Sequence, residues 1–222
     1  MTEIVPAILS NDISDFRKKY AELFALSHYF NQLHVDFADG NFVNNQTLMP
    51  AELGFLSASG KKSSFILAAH LMTFNPQRYF QDAKNSGFKW VLFHLEAFAR
   101  DSEVEEAIGK AKNLGLKAGL VINPETPLHK ATKFFEQVGL IQLMGIHPGV
   151  QGRKFIPATI EKIHELRNIS KNVIISIDGG IKVGIARQCV QAGADILVAG
   201  SAILKAENEG AAIEALKADI ET

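Results

Sequence analysis

Residues 173–201 read VIISIDGGIKVGIARQCVQAGADILVAGS. The stretch holds one structural unit and the start of the next. An apolar run (173–178) ends at Asp178 and a Gly-Gly turn, a helical stretch carries Cys189, and a second apolar run (196–199) closes at Gly200-Ser201. Short runs rich in Ile, Val and Leu, without polar alternation, are the pattern of strands buried on both faces. Working outward, the same kind of run recurs at 4–9, 32–36, 65–70, 90–94, 117–122 and 140–146. Between the runs lie stripes of helical period: Phe16, Tyr20, Leu23 and Phe24; Val104, Ala107, Ile108 and Ala111; Ile160, Ile163 and Leu166; Ala212, Ile213 and Leu216. Asn75-Pro76, and Ser102 before a Glu-rich run, read as helix starts. Eight strand runs, each followed by a plausible helix, predict a right-handed parallel sheet. That count in 222 residues favours an α/β fold with a single-domain (β/α)8 TIM barrel over residues 1–222. An open doubly wound sheet is the alternative. It normally shows a Gly-rich fingerprint after the first strand, where this chain has Leu9-Ser10-Asn11-Asp12.

Composition narrows the function classes. With 47% hydrophobic and 21% charged residues the chain is neither disordered nor fibrous. Lys plus Arg number 23 against 24 Asp plus Glu, so the basic excess of a nucleic-acid binder is missing. A small basic patch for a phosphorylated metabolite is compatible with this balance. One cysteine, Cys189, excludes an intrachain disulfide and a Cys-rich zinc site, and its helical setting reads as a small buried hydrophobe. Residues 1–9 lack a charged start before a signal-length apolar stretch, and no apolar run approaches a membrane span. The expected location is cytoplasmic, without membrane or nucleic-acid partners.

In such a barrel, function sits at the C-terminal ends of the strands. The second run closes as Leu33-His34-Val35-Asp36, and strand residues two apart share a face, so His34 and Asp36 both point inward. The third run ends at His70 and the seventh at Asp178. Taken singly, each has a bland reading as a hydrogen-bonded or turn residue. Together, two imidazoles and two carboxylates at one mouth need partners or a metal, and their N and O ligands suit zinc or another divalent transition ion. The glycines of the loops after strands six to eight, Gly149, Gly152, Gly179, Gly180 and Gly200-Ser201, read either as simple turns or as a phosphate cradle of backbone N–H groups. His28, His129 and His164 fall on or beside helices and read as surface residues, while His94 ends the fourth run near the mouth.

These residues resemble the ribulose-phosphate 3-epimerase family along nearly the whole chain. The resemblance is carried by Pro6-Ala7-Ile8-Leu9-Ser10, His34-Val35-Asp36 through Asp39-Gly40 to Asn45, and His70-Leu71-Met72 with Asn75-Pro76. It continues through Phe93-His94-Leu95-Glu96-Ala97, Asn123-Pro124, Met144 with Pro148-Gly149, Asp178-Gly179-Gly180, and Ala199-Gly200-Ser201. It implies a divalent-metal enzyme that inverts carbon 3 of a pentulose 5-phosphate, interconverting D-ribulose and D-xylulose forms. By the same resemblance His34, Asp36, His70 and Asp178 bind one metal ion, zinc first, with iron, cobalt or manganese as alternatives. Asp36 and Asp178 carry protons on opposite faces of carbon 3, through an enediolate that a metal stabilises. Met72 and Met144 line the site with His70, and the loop glycines and Ser201 meet the substrate's phosphate end. The family also implies a homo-oligomer.

Departures from the family pattern bear on the substrate. Ala7 replaces a common serine, Ala38 a common methionine, and the loop after strand six reads Pro148-Gly149-Val150-Gln151-Gly152-Arg153 in place of Pro-Gly-Phe-Gly-Gly-Gln. Arg153 reads as a surface residue, and His147 stands where the family has an acidic or amide side chain. An epimerase for another ketose phosphate, such as a hexulose 6-phosphate, is the alternative that Ala7 and Ala38 suggest. A sugar-phosphate-binding barrel without activity is a third. A related decarboxylase would show Asp-x-Lys where this chain has His34-x-Asp36.

Overall fold

The computed structural model describes residues 2–58 and 65–221. Its strands are β1 (Glu3–Leu9), β2 (Gln32–Ala38), β3 (Ile66–Met72), β4 (Trp90–His94), β5 (Lys117–Ile122), β6 (Leu140–Met144), β7 (Ile174–Asp178) and β8 (Ile196–Ala199). Each pairs in parallel with the next, and β8 pairs with β1, so the sheet is a closed barrel. The strands agree with the apolar runs to within two residues at each end.

Alternation along the strands builds two apolar regions. Inside the barrel Ala68, Leu92, Val121, Leu140 and Met144 pack together, with Val5, Ala7 and Val198 forming a smaller cluster. The intervening residues, among them Leu33, Leu67, Phe93, Leu120, Ile141 and Ile177, face outward into one continuous core shared with the helices. The inward position level with Leu92 on β5 is Gly119. A Cβ there would lie 2.5 Å from Leu92 Cδ2 and 2.9 Å from Leu140 Cδ1, because those two leucines fill the middle of the barrel.

The outer layer comprises α1 (Ile13–Ala25), α2 (Phe55–Ala58), α3 (Phe80–Asn85), α4 (Asp101–Asn113), α5 (Ala158–Ile169), α6 (Ile185–Ala192), α7 (Ser201–Leu204) and α8 (Glu209–Ile220). The expected stripes face the core, although Phe24 stays 48% exposed at the edge of an aromatic group with Tyr20 and Phe65.

Three sequence expectations are corrected. Ser102 is inside α4 and does not cap it. The Glu103 carboxylate turns back to accept from the Ala99 and Arg100 N–H groups, doing the capping instead. Asn75 makes no side-chain cap; it takes a left-handed backbone (φ 50°) before a 3-10 turn at Pro76–Arg78. Most consequentially, not every strand is followed by a helix. Between β5 and β6 run only two 3-10 turns, Leu128–Lys130 and Thr132–Phe134. Pro124 and Pro127 lack the N–H a helix needs and disfavour helical backbone before them. The carbonyls of Asn123, Pro124 and Thr126 accept from the Lys162 ammonium of α5, at 2.7, 3.2 and 2.6 Å, the first of them also from the Thr126 N–H at 3.2 Å.

Cys189 is fully buried in α6. Burial pushes its thiol up to about 12, which leaves roughly a thousandfold less thiolate than an ordinary thiol at neutral pH. A chromogenic disulfide reagent at pH 8 is therefore expected to titrate no thiol in the native protein and one in denaturant. Rapid native reaction would show that α6 does not bury the residue.

Candidate active site

At the C-terminal mouth of the barrel the register sets four polar side chains into one ring. Asp36 on β2 is level with His70 on β3, Met144 on β6 with Asp178 on β7, and His34 shares the inward face of β2 with Asp36. Asp36 Oδ1 is 3.1 Å from His34 Nε2 and 2.9 Å from His70 Nδ1. Asp178 Oδ2 lies 3.5 and 3.3 Å from the same two nitrogens. All four residues are buried, and their donor atoms lie within 4.8 Å of one another.

Burial alone would raise the Asp36 carboxyl, yet hydrogen bonds from His34 and His70, reinforced by their charge, hold it well below the usual carboxylate range. His70 is the counterpart. Burial works against its charge, but hydrogen bonds to Asp178 and Asp36 and the negative charge they carry lift it to about 9. The protein alone thus satisfies this ring by gathering positive charge between two carboxylates.

A divalent cation fits the same ring. An ion 2.0–2.1 Å from tetrahedral N and O ligands sets neighbouring ligands roughly 3.3 Å apart, and the four N–O distances run from 2.9 to 3.5 Å. Two imidazoles and two carboxylates are a donor set of zinc-like ions rather than of calcium or magnesium.

Above the ring lies a cleft with about 430 Å³ of free space, open to solvent. The residues expected there from sequence are there: Met72 and Met144, Gly149 and Gly152, Gly179 and Gly180, and Gly200 with Ser201 all line it. Gly179 and Gly180 take positive φ, 98° and 73°, and pack so tightly under Ile146 and Phe155 that a Cβ on either would clash. Their loop can therefore expose backbone at the cleft wall. Across from it, Gly152 is close to Ser201 and to the Lys205 ammonium; a Cβ on Gly152 would be 3.8 Å from Ser201 Oγ and 3.9 Å from Lys205 Nζ. The loop after β6 is tied to the loop after β2 by the Asn45 amide donating to the Gly149 carbonyl at 2.7 Å.

Two residues that strand-end arithmetic does not reveal, Gln142 and Gln151, belong to the site, and a third, His94, is the strand-end histidine whose role the sequence leaves open. Gln142, fully buried in the middle of β6, donates from Nε2 to Asp178 Oδ2 at 3.0 Å, while Ser176 Oγ is 3.3 Å from Gln142 Oε1. The available signal is a lone amide inside an apolar run, which needs a partner when buried. Gln151 reaches from the β6 loop to lie 3.4 Å from Asp36 Oδ2, its side chain against Gly200. His94 touches His70 from behind, Nε2 to Nε2 at 2.9 Å. His147 instead pairs with Glu125 at the surface, at 3.0 Å, and Arg153 is exposed. His28, His129 and His164 are exposed as expected.

The model of the ribulose-phosphate 3 epimerase family matches residues 3–204. The chain is 36% identical to the ribulose-phosphate 3-epimerase of Aquifex aeolicus over 83% of its own length and 82% of that protein. It is 31% identical to the enzyme of the same name from Bacillus subtilis over 98% and 99%. Among solved structures, a 3-hexulose-6-phosphate synthase superposes with a TM-score of 0.72 at 18% identity, covering 99% of this chain and all of that one. KGPDC from Streptococcus mutans gives 0.72 at 12% identity, covering 99% and 97%. These two share the barrel.

Replacing Gln142 by Leu removes a hydrogen bond to a buried carboxylate and strips Ser176 of its partner. A loss of about 1–3 kcal/mol in urea unfolding is expected. A change below about 0.5 kcal/mol would mean the amide does not hold Asp178.

Proposed function

The chain belongs to the ribulose-phosphate 3-epimerase family, and from that premise we propose that it is a divalent-metal-dependent epimerase converting D-ribulose 5-phosphate to D-xylulose 5-phosphate. One observation carries the reading: two buried carboxylates from different strands meet two imidazoles at the mouth of the barrel.

Inversion at a carbon beside a carbonyl needs a proton removed from one face and another delivered to the opposite face. Asp36 and Asp178 come from β2 and β7, with β1 and β8 between them, so their carboxylates approach the cleft from different sides. In the proposal Asp36, as the carboxylate, takes the proton from one face of carbon 3, and Asp178, entering the turnover in its acid form, gives its proton to the other face. Asp36 is left protonated and Asp178 ionised, and exchange with solvent through the cleft resets both. Asp36 has its Oδ1 engaged by the imidazoles and its Oδ2 toward Gln151. Gln142 steadies Asp178. His34, Asp36, His70 and Asp178 would hold the ion, zinc first, with iron, cobalt or manganese as alternatives. Bound there, a divalent ion supplies Lewis-acid stabilisation of negative charge on the substrate oxygens. Met72 and Met144 give the reacting carbons an apolar wall. Gly179, Gly180, Gly200 and Ser201, with Gly149 and Gly152 from the facing loop, offer the phosphate backbone N–H groups.

A hexulose 6-phosphate is the second substrate reading. Ala7, whose methyl group lines the cleft, is the observation that favours it.

A coupled assay on ribulose 5-phosphate tests the proposal. Turnover is expected to vanish on chelation, to return with one equivalent of a divalent ion, and to fall about 10²–10⁴-fold in Asp36→Asn. Silence with every ion, or preference for the hexulose phosphate, would defeat the pentulose assignment. Run in heavy water, the reaction should place solvent deuterium at carbon 3 of xylulose 5-phosphate; retention of the substrate hydrogen there would exclude two separate proton carriers.

A further inference from the structure

His94 ends β4 and is fully buried. It shares the inward face of β4 with Leu92, so its ring enters the barrel beside His70 on the neighbouring strand. The rings are centred 5.1 Å apart and only 25° from coplanar, with Nε2 facing Nε2 at 2.9 Å. They meet edge to edge, as a hydrogen bond requires, and one nitrogen must bring the proton while the other brings a lone pair.

The far ends of the two rings decide the direction. His70 Nδ1 faces Asp36 Oδ1 and Asp178 Oδ2, so that nitrogen is the one turned to the ring of ligands. A nitrogen that binds a cation carries no proton, and the His70 proton is then on Nε2. His94 Nε2 must accept it. The proton of His94 is left on Nδ1, which lies 3.5 Å from Glu96 Oε2, an ion-pair distance rather than a formed hydrogen bond, and both atoms are buried with no hydrogen-bond partner. The second Glu96 oxygen accepts from the Asn123 N–H at 2.9 Å, anchoring the carboxylate to the end of β5. Phe42 covers His94, ring centres 4.7 Å apart.

Resting on the reading of the four-residue ring as a cation site, we propose that His94 is a positioning residue that sets the tautomer of His70. By accepting the Nε2 proton it keeps the Nδ1 lone pair of His70 turned toward the ion, and the Glu96 carboxylate, the charge nearest His94 Nδ1 at 3.5 Å, favours the matching tautomer electrostatically. Outer partners of this kind orient ligating imidazoles and raise their basicity, and their loss typically weakens metal binding about 10–100-fold.

The test is Zn²⁺ affinity, measured by competition with a chromophoric chelator on the chelator-stripped full chain, with far-UV circular dichroism as the check on folding. His94→Leu removes the acceptor and is expected to weaken Zn²⁺ binding about 10–100-fold, whereas His94→Gln places an amide oxygen near the Nε2 position and should stay within about threefold of the natural protein. Equal affinity for His94→Leu, or equal loss for His94→Gln, would overturn the positioning role. His70→Ala separates the two readings. If it binds Zn²⁺ as tightly as the natural protein, or if neither binds at all, the four-residue cation site fails and the proposal fails with it. Should His94→Leu not fold, long-range ¹H–¹⁵N spectra of histidine-labelled, Zn²⁺-loaded natural protein decide the matter. His94 protonated on Nδ1 and His70 on Nε2 are expected, and His94 protonated on Nε2 would refute the proposal.

Discussion

Ionisable groups withdrawn from water must find their compensation among neighbours, and at the mouth of this barrel four of them do so within one ring. Asp36 and Asp178 are 7% and 8% exposed, and His34 and His70 almost wholly buried. Isolated carboxylates in such a setting would be costly enough to take up protons. Here each is instead held by two imidazole nitrogens, and the ring is held in turn by further groups: Gln142 on Asp178, Gln151 on Asp36, His94 on His70. The arrangement is demanding in the way any buried polar network is. Every member must be satisfied, so the positions of the outer groups are as constrained as those of the inner ones.

Barrel closure makes the ring geometrically available. β2 and β7 are far apart in the chain and become near neighbours only because β8 pairs with β1, with Val5 level with Val198 and Val198 level with Asp178. Below the ring the interior is apolar, filled by Leu92, Val121 and Leu140 around the space left at Gly119. That filling packs the barrel beneath the ring, and the cleft opens above it.

Much of this is legible in the sequence because strand geometry is simple. A period of two sets His34 and Asp36 on one face, and a strand end marks His70 and Asp178. His94 occupies an equally visible strand end, but nothing in its position distinguishes a ligand from a ligand's partner. That distinction depends on which ring nitrogen meets which atom. Gln142 is hidden in a run whose overall apolar character outweighs one amide. Gln151 depends on a loop conformation that no periodicity encodes. Helix starts are misjudged where a side chain other than the expected one satisfies the backbone, as Glu103 does in place of Ser102. The absent helix after β5 reflects prolines whose effect on the backbone outweighs the general βα rhythm.

That connection between β5 and β6 has a consequence for how the molecule is made. Elsewhere an outer segment can begin to form from its own residues as soon as they leave the ribosome. Here the carbonyls of Pro124 and Thr126 wait for an ammonium 38 and 36 positions later in the chain. During synthesis from the N-terminus, this sector of the wall stays unfinished until α5 has emerged and docked, so the nascent barrel acquires its fifth connection after its sixth strand.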